Sequence, residues 1–218
     1  DWDYPIHEAL VRHARKIKAN LVVVEAHAGR RLAPWLLHLT DFELLRTSPL
    51  PVLVVKSARA WRRPKLLAAV DPMHTFAKPA GLDAVIMDAG ASFSRALGGQ
   101  LHAMHAYAPV ATGVSPFIGE SAETVAEVLE RTERFASRDF ERVAEKGKVP
   151  RSRRHWVKAP PVDAIPQMAR KLGAQIVVMG AVSRSALRRV VIGNTAERIL
   201  GDLECDVLVV KPPRFVTR

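Results

Sequence analysis

The sequence predicts an α/β fold, a doubly wound, mostly parallel five-stranded sheet that belongs to a tandem repeat. Three observations lead there. Apolar runs rich in Val and Ile alternate with segments of helical periodicity, the pattern of parallel strands covered on both faces. The chain also repeats itself. "ARKIKANLVVVEA" (14–26) matches "ARKLGAQIVVMGA" (169–181), and "PVLVVKS" (51–57) matches "DVLVVKP" (206–212), both at an offset of 155 and without a gap. Finally, 48% of residues are hydrophobic while no apolar run reaches the ~18 residues of a membrane span, so the composition is globular.

The complete copy reads in order from Lys65. "KLLAAVD" (65–71) is a short apolar strand. Residues 80–99 place Leu82, Val85, Ile86, Ala89 and Phe93 at helical spacing, and Gly98-Gly99 stops that helix. "QLHAMHAYAP" (100–109) is a second strand. Residues 121–147 form a long helix capped by Ser121, or by Thr124 with Glu127 at capping-box distance, and closed by Gly147. "RRHWVKA" (153–159) is a third, less apolar strand that suits a sheet edge. A helix over 161–173, a strand over 174–181, a helix over 195–203 and a strand over 206–212 complete the unit.

The offset implies that residues 1–57 are the C-terminal half of a first such domain. Residues 58–64 are then a linker, 65–212 the complete second domain and 213–218 a tail. Roughly ninety residues of the first copy are absent, because copy two begins near Lys65 and subtracting 155 points to about −90. A half-domain leaves one side of its strands unpaired and needs a partner. The apolar "VLVV" strands (52–55 and 207–210) offer sheet edges for such pairing, within one chain or between two. The chain lacks an initiator Met, which suggests a fragment or a processed chain, and its N-terminus has no signal-peptide pattern.

Net charge is +11, spread over "RRPK" (62–65), "RSRR" (151–154), Arg188-Arg189 and "KPPR" (211–214). No block reaches the five or six like charges of a binding tail, so the linear pattern reads as solvated surface and nucleic acid is not an expected partner. Cys205 stands alone, which excludes an intrachain disulfide framework and fits a reducing cytoplasm.

The segment "MGAVSRSALRRVVIGNTAE" (179–197) carries the functional question. Gly180 ends a strand and Gly193-Asn194-Thr195 begins a helix, with Asn194 placed to cap it and Glu197 at capping-box distance. Free N–H groups of that first turn can hold an anion. From the residues alone, the segment serves equally as an anion cradle or as an ordinary strand–turn–helix connection. Ligands of such sheets sit beyond the strands' carboxyl ends, where Asp71 and His105 to Pro109 also lie.

At these residues the chain resembles the universal stress protein family. "VVMGA" before the loop, and "GNTAERIL" and "CDVLVVKP" after it, carry the resemblance, and the two-copy layout resembles the tandem, E-type members. The resemblance implies a flavodoxin-like, adenine-nucleotide-binding type of fold and a stress-response function in the cytoplasm. It implies ATP or a related nucleotide as ligand, without catalysis. ATP-binding members carry G-x2-G-x9-G followed by Ser or Thr. Gly180 and Gly193 match that pattern, Ser183 replaces the middle glycine, and Asn194 replaces the hydroxyl residue, with Thr195 one step later. Asp71 and Ala69 then match the end of the first strand. Met179 and Ala106 match positions lining the base, and Arg184 and Arg188 lie near enough in sequence to pair with anionic oxygens. The first copy has Glu25, Ala28 and His38 at the glycine positions, so no phosphate site is expected there. Thr40, with Glu43 three residues on, is expected to cap a helix in that half-domain.

Other chemistry is not indicated. His102 and His105, three apart on a strand, point to opposite faces, and His7 and His13 diverge on a helix, so no metal is expected. No G-x-S-x-G, G-x-x-x-x-G-K or G-x-G-x-x-G is present. The sequence therefore predicts a non-enzymatic small-ligand protein, expected as a homodimer or with its two repeats paired and with no membrane partner. An interaction protein with a less polar ligand, or none, is the alternative, and nonspecific nucleic-acid binding the third reading.

Overall fold

The computed structural model describes residues 5–25, 34–57, 59–73, 81–108, 125–180 and 194–212; at 34–40, 125, 126, 128, 129, 194 and 195 it describes the backbone alone. The elements follow in chain order. A first part holds α1 (Ile6–Lys16), β1 (Val22–Glu25), α2 (Pro34–Thr47) and β2 (Val52–Val55). From Lys65 onward come β3 (Lys65–Ala69), α3 (Leu82–Ala96), β4 (Gln100–Ala106), α4 (Val125–Lys146), β5 (Arg154–Val157), α5 (Pro161–Leu172), β6 (Ile176–Gly180), α6 (Asn194–Asp202) and β7 (Asp206–Val210). A short 3-10 turn (Arg151–Arg153) leads into β5.

All seven strands form one sheet in the order β1-β2-β7-β6-β3-β4-β5. The expected five-strand unit is its larger part, with parallel pairings throughout and β5 at the edge. The first part adds β1 and β2 in parallel, and β2 joins β7 antiparallel. The two β-α-β pieces share a register: Val22 faces Val52 and Val177 faces Val207, two pairs separated by the same 155 residues. Polar contacts reinforce the joint. Arg46 of α2 pairs with Glu197 of α6 at 2.6 Å, and Lys56 Nζ donates to the carbonyls of Leu200 and Leu203 at the end of α6.

Strand alternation sorts the apolar side chains onto two faces. Leu67, Met104, Val177, Met179 and Val207 pack with residues of α1, α2, α5 and α6. Leu66, Ala68, Ala103, Ile176 and Val178 pack against Leu82 and Ile86 of α3 and Phe140 and Ala144 of α4.

One helix boundary differs from expectation. The helix expected to start at Thr40 begins at Pro34, so Thr40 lies inside α2 rather than capping it; proline is well suited to a first helical position, where no N–H is needed. The long helix runs Val125–Lys146, and its two candidate caps, Ser121 and Thr124, lie outside the described residues. α6 runs Asn194–Asp202, and Gly193 before it lies outside the described residues.

Candidate functional site

The five strands from β3 onward run β7-β6-β3-β4-β5, so successive crossovers depart to opposite sides of the β3–β6 pair. The carboxyl ends of those two strands are the switch point, where doubly wound sheets leave a crevice. Ala69, at the end of β3, is in register with Met179 on one side and Met104 on the other. Ala106 ends β4 opposite Val157. Met179 and Ala106 are buried. Ala69, Val157, Ala159 and Val162 are partly exposed and pack against the same face. Short side chains at 69 and 106 thus leave an apolar wall, half open to solvent, on the α5 side.

Asp71 stands just beyond β3. Its main-chain N–H donates to Asp83 Oδ1 at 3.0 Å, which ties the strand's end to the first turn of α3. Its carboxylate is partly exposed, with Oδ1 3.9 Å from His105 Nδ1. His105 is 2% exposed, and its Nδ1 lies 3.0 Å from the Val70 carbonyl. A carbonyl only accepts, so this bond places the proton on Nδ1. The ring sits against Trp156 and Phe140, with centroids 5.1 and 6.2 Å away. Of this group Asp71 is the ligand-binding candidate read from the sequence, which places His105 only at the carboxyl end of the second strand.

Gly180 has a structural reason of its own. A Cβ built there would lie 2.6 Å from Leu82 Cδ2 and 2.9 Å from Leu82 Cγ. Leu82 is buried in the first turn of α3, so the glycine lets that helix press onto the end of β6. The space its missing side chain leaves is occupied by leucine. Ser183, Arg184 and Gly193 lie outside the described residues. Asn194 and Thr195 open α6, where unpaired N–H groups of a first turn point out of the helix.

His102 and His105 lie on opposite faces of β4, as expected. His102 meets His155 of β5 instead, ring nitrogens 3.0 Å apart and rings stacked. Burial, then His155, Arg153 and Lys65, push His102 down to about 4; His155 is lowered by burial and by Lys171. Among the described residues no three His, Cys, Asp or Glu side chains come together as a metal site. No described helix is long and apolar enough to cross a membrane.

Comparison with known proteins gives a consistent result. The profile of the Universal stress protein family matches residues 65–211. Over 221 aligned residues the chain is 27% identical to Universal stress protein E of Escherichia coli (strain K12), covering 99% of this chain and 68% of that protein. A crystal structure from Pseudomonas aeruginosa UCBPP-PA14, of a protein described as a universal stress protein, superposes with a TM-score of 0.77 at 31% identity, covering 97% of this chain and 70% of that one. A universal stress protein from Archaeoglobus fulgidus DSM 4304 shares the fold, with a TM-score of 0.59 at 17% identity.

Proposed function

Because the chain belongs to the universal stress protein family, we propose that it is a non-enzymatic, E-like stress-response protein of the cytoplasm that holds a nucleotide of the ATP class in its 65–212 unit. The observation that carries this reading is the meeting of Ala69, Met179 and Ala106 at the switch point, with Asp71 beside them. The apolar wall suits a purine face, and Asp71 suits the hydroxyls of a ribose. The first turn of α6, at Asn194 and Thr195, would face the phosphates with its N–H groups, helped by Ser183, Arg184 and Gly193. Among the described residues no group in this arrangement is placed as a general base toward a phosphate, and in this reading the ligand is retained rather than turned over. In the same reading residues 1–57 are the C-terminal half of a first, degenerate domain, supported by the shared register of the β1–β2 and β6–β7 pairs.

A second reading, an interaction protein with a less polar ligand or none, is favoured by one observation: Leu82 occupies the space beside Gly180. Calorimetric titration of ATP into the full chain separates the two. The nucleotide reading expects saturable heat in the micromolar to submillimolar range, lost in Ala69→Leu, whose added bulk closes the apolar wall. Absence of heat and of a thermal shift at millimolar ATP would overturn it.

A further inference from the structure

Base that is dispersed in the sequence is gathered by the fold. β3, β4, β5 and β6 are parallel, so their amino ends all lie at the end of the sheet opposite Ala69 and Met179. The segments leading into these strands, 59–65, 97–100, 147–154 and 171–176, contain no Asp or Glu. They bring Arg63, Lys65, Lys148, Arg151, Arg153 and Lys171 to that end, all exposed except the half-buried Arg153. Lys65, Arg153 and Lys171 lie around the His102–His155 pair. Lys65 Nζ donates to the Leu172 carbonyl at 3.1 Å, beside Lys171. Lys65 and Arg153 both act on His102, and Lys171 acts on its partner His155. Arg154 is paired with Glu141; among the described residues, Arg63, Lys148, Arg151, Arg153 and Lys171 make no ion pair.

Two of these residues are held in a conformation that favours glycine. Arg63 has φ 48° directly before Pro64, and Lys148 has φ 54°. The comparison for Lys148 is internal. α3 and α5 end through Gly98 and Gly173 at φ 61° and 60°. At each of these ends the N–H of the left-handed residue bonds three residues back, and the following N–H five back. α4 ends the same way with lysine in the glycine position, as does α1 with Lys18 at φ 53°.

We propose that the amino end of β3–β6 is a docking surface for the phosphodiester backbone of nucleic acid, bound without regard to sequence. Four strands about 4.8 Å apart give a basic stripe roughly 14 Å wide, enough to span several phosphates. Its arginines match phosphate oxygens in pairs. An anionic bilayer is the poorer fit, because among the described residues the large exposed apolar side chains are Ile6, Leu10, Ile17, Val23 and Phe135, none of them in these segments. This inference stands apart from the nucleotide reading, whose residues lie at the other end of the strands.

Fluorescence anisotropy of a labelled 20-base-pair duplex of arbitrary sequence with the full chain tests it, across 50–300 mM salt. Binding should weaken with a log–log salt slope of about −4, since each phosphate contact contributes about −0.9. Arg63→Gly/Lys148→Gly should weaken binding about tenfold at 100 mM salt and flatten the slope by about 2, with the melting temperature held or raised because both sites favour glycine. Arg134→Gln/Arg138→Gln, which removes equal charge from exposed positions further up α4, should change affinity less than twofold. Should the glycine variant melt lower, Arg151→Gln/Arg153→Gln replaces it and should weaken binding likewise. Wild-type affinity weaker than about 100 μM at 50 mM salt would overturn the proposal. So would equal weakening in the α4 control, or binding to phosphatidylserine vesicles in place of duplex.

Discussion

Leu53 faces Leu208 across the antiparallel joint between β2 and β7, and the two residues occupy the same position of the repeat, 155 apart. On either side Val52 meets Val209 and Val54 meets Val207. Each strand therefore presents the same "VLVV" to the other around a local two-fold through the leucine pair. One apolar tetrapeptide supplies both sides of the joint, and the first part of the chain continues the sheet through it.

Both leucines are buried, at 2% and 0% exposure, so truncation leaves a cavity. Leu53→Ala is expected to lower the unfolding free energy by about 3 kcal/mol in urea denaturation. Leu208→Ala should cost a similar amount, and the double variant less than the sum, because the two share one cavity. A Leu53→Ala variant as stable as the parent would show that β2 does not pack onto β7.

Asp206 ties the segment after β2 to the same joint. It is 1% exposed. Its Oδ1 accepts from the N–H groups of Lys56 and Ser57 at 2.7 and 3.0 Å, and its Oδ2 from Trp61 Nε1 at 2.8 Å. Asp206→Asn keeps the shape but turns an NH2 toward donors, and should cost about 2 kcal/mol. Trp61→Phe removes a single donor and should cost about 1 kcal/mol. Urea denaturation followed by circular dichroism measures both.

The His102–His155 pair makes stability depend on pH. The folded His102 titrates near 4, below the ordinary 6.5, because its surroundings disfavour the charged ring. Its contribution is therefore fully present above pH 6.5 and is lost as pH falls from 6.5 toward 4. The loss amounts to at most about 3 kcal/mol. His102→Asn should flatten the stability profile over that window. A wild-type profile already flat there would contradict the assignment.

Gly180 and Leu82 are coupled by contact. Gly180→Ala should destabilise by roughly 1–3 kcal/mol through crowding of Leu82. Leu82→Ala should cost about 3 kcal/mol alone, and the double variant less than the sum, since the smaller residue makes room. Strict additivity in a double-mutant cycle would rule out the contact. The same crowding makes Gly180 a poor site for probing nucleotide affinity, for which Ala69 is the better choice.

Burial pushes the Cys205 thiol up to about 11. At pH 8 roughly one molecule in a thousand then carries the thiolate, against about a quarter for a free cysteine. Ellman's reagent should modify the native protein some hundredfold more slowly than a free thiol, and at the free rate in 6 M urea. Fast labelling of the folded chain would refute the burial of this thiol.

Much of the fold was legible in the residues because its signals are local. Alternation of "AQIVVMGA" and "DVLVVKP" with amphipathic stretches marks strands and helices, and the repeat at 155 anticipated the common register of β1–β2 and β6–β7. Asp71, Ala69, Ala106 and Met179 could be placed at strand ends for the same reason. Helix starts were less legible. Thr40 has the chemistry of a cap, yet α2 begins at Pro34, because a cap-forming side chain shows what a start can use and not where the packed helix begins.

The sequence by itself determined the α/β class, the parallel unit and the family, since each rests on periodicity or on runs of neighbouring residues. Tertiary structure alone decided that Leu82 fills the space at Gly180, that His102 meets His155 and that His105 lies beside Asp71. It also decided that "RRPK" (62–65) and "RSRR" (151–154), distant in the sequence, share one end of the sheet. Those relations join residues distant in sequence, and distance along a chain carries no information about contact until strand order and crossover fix which ends meet.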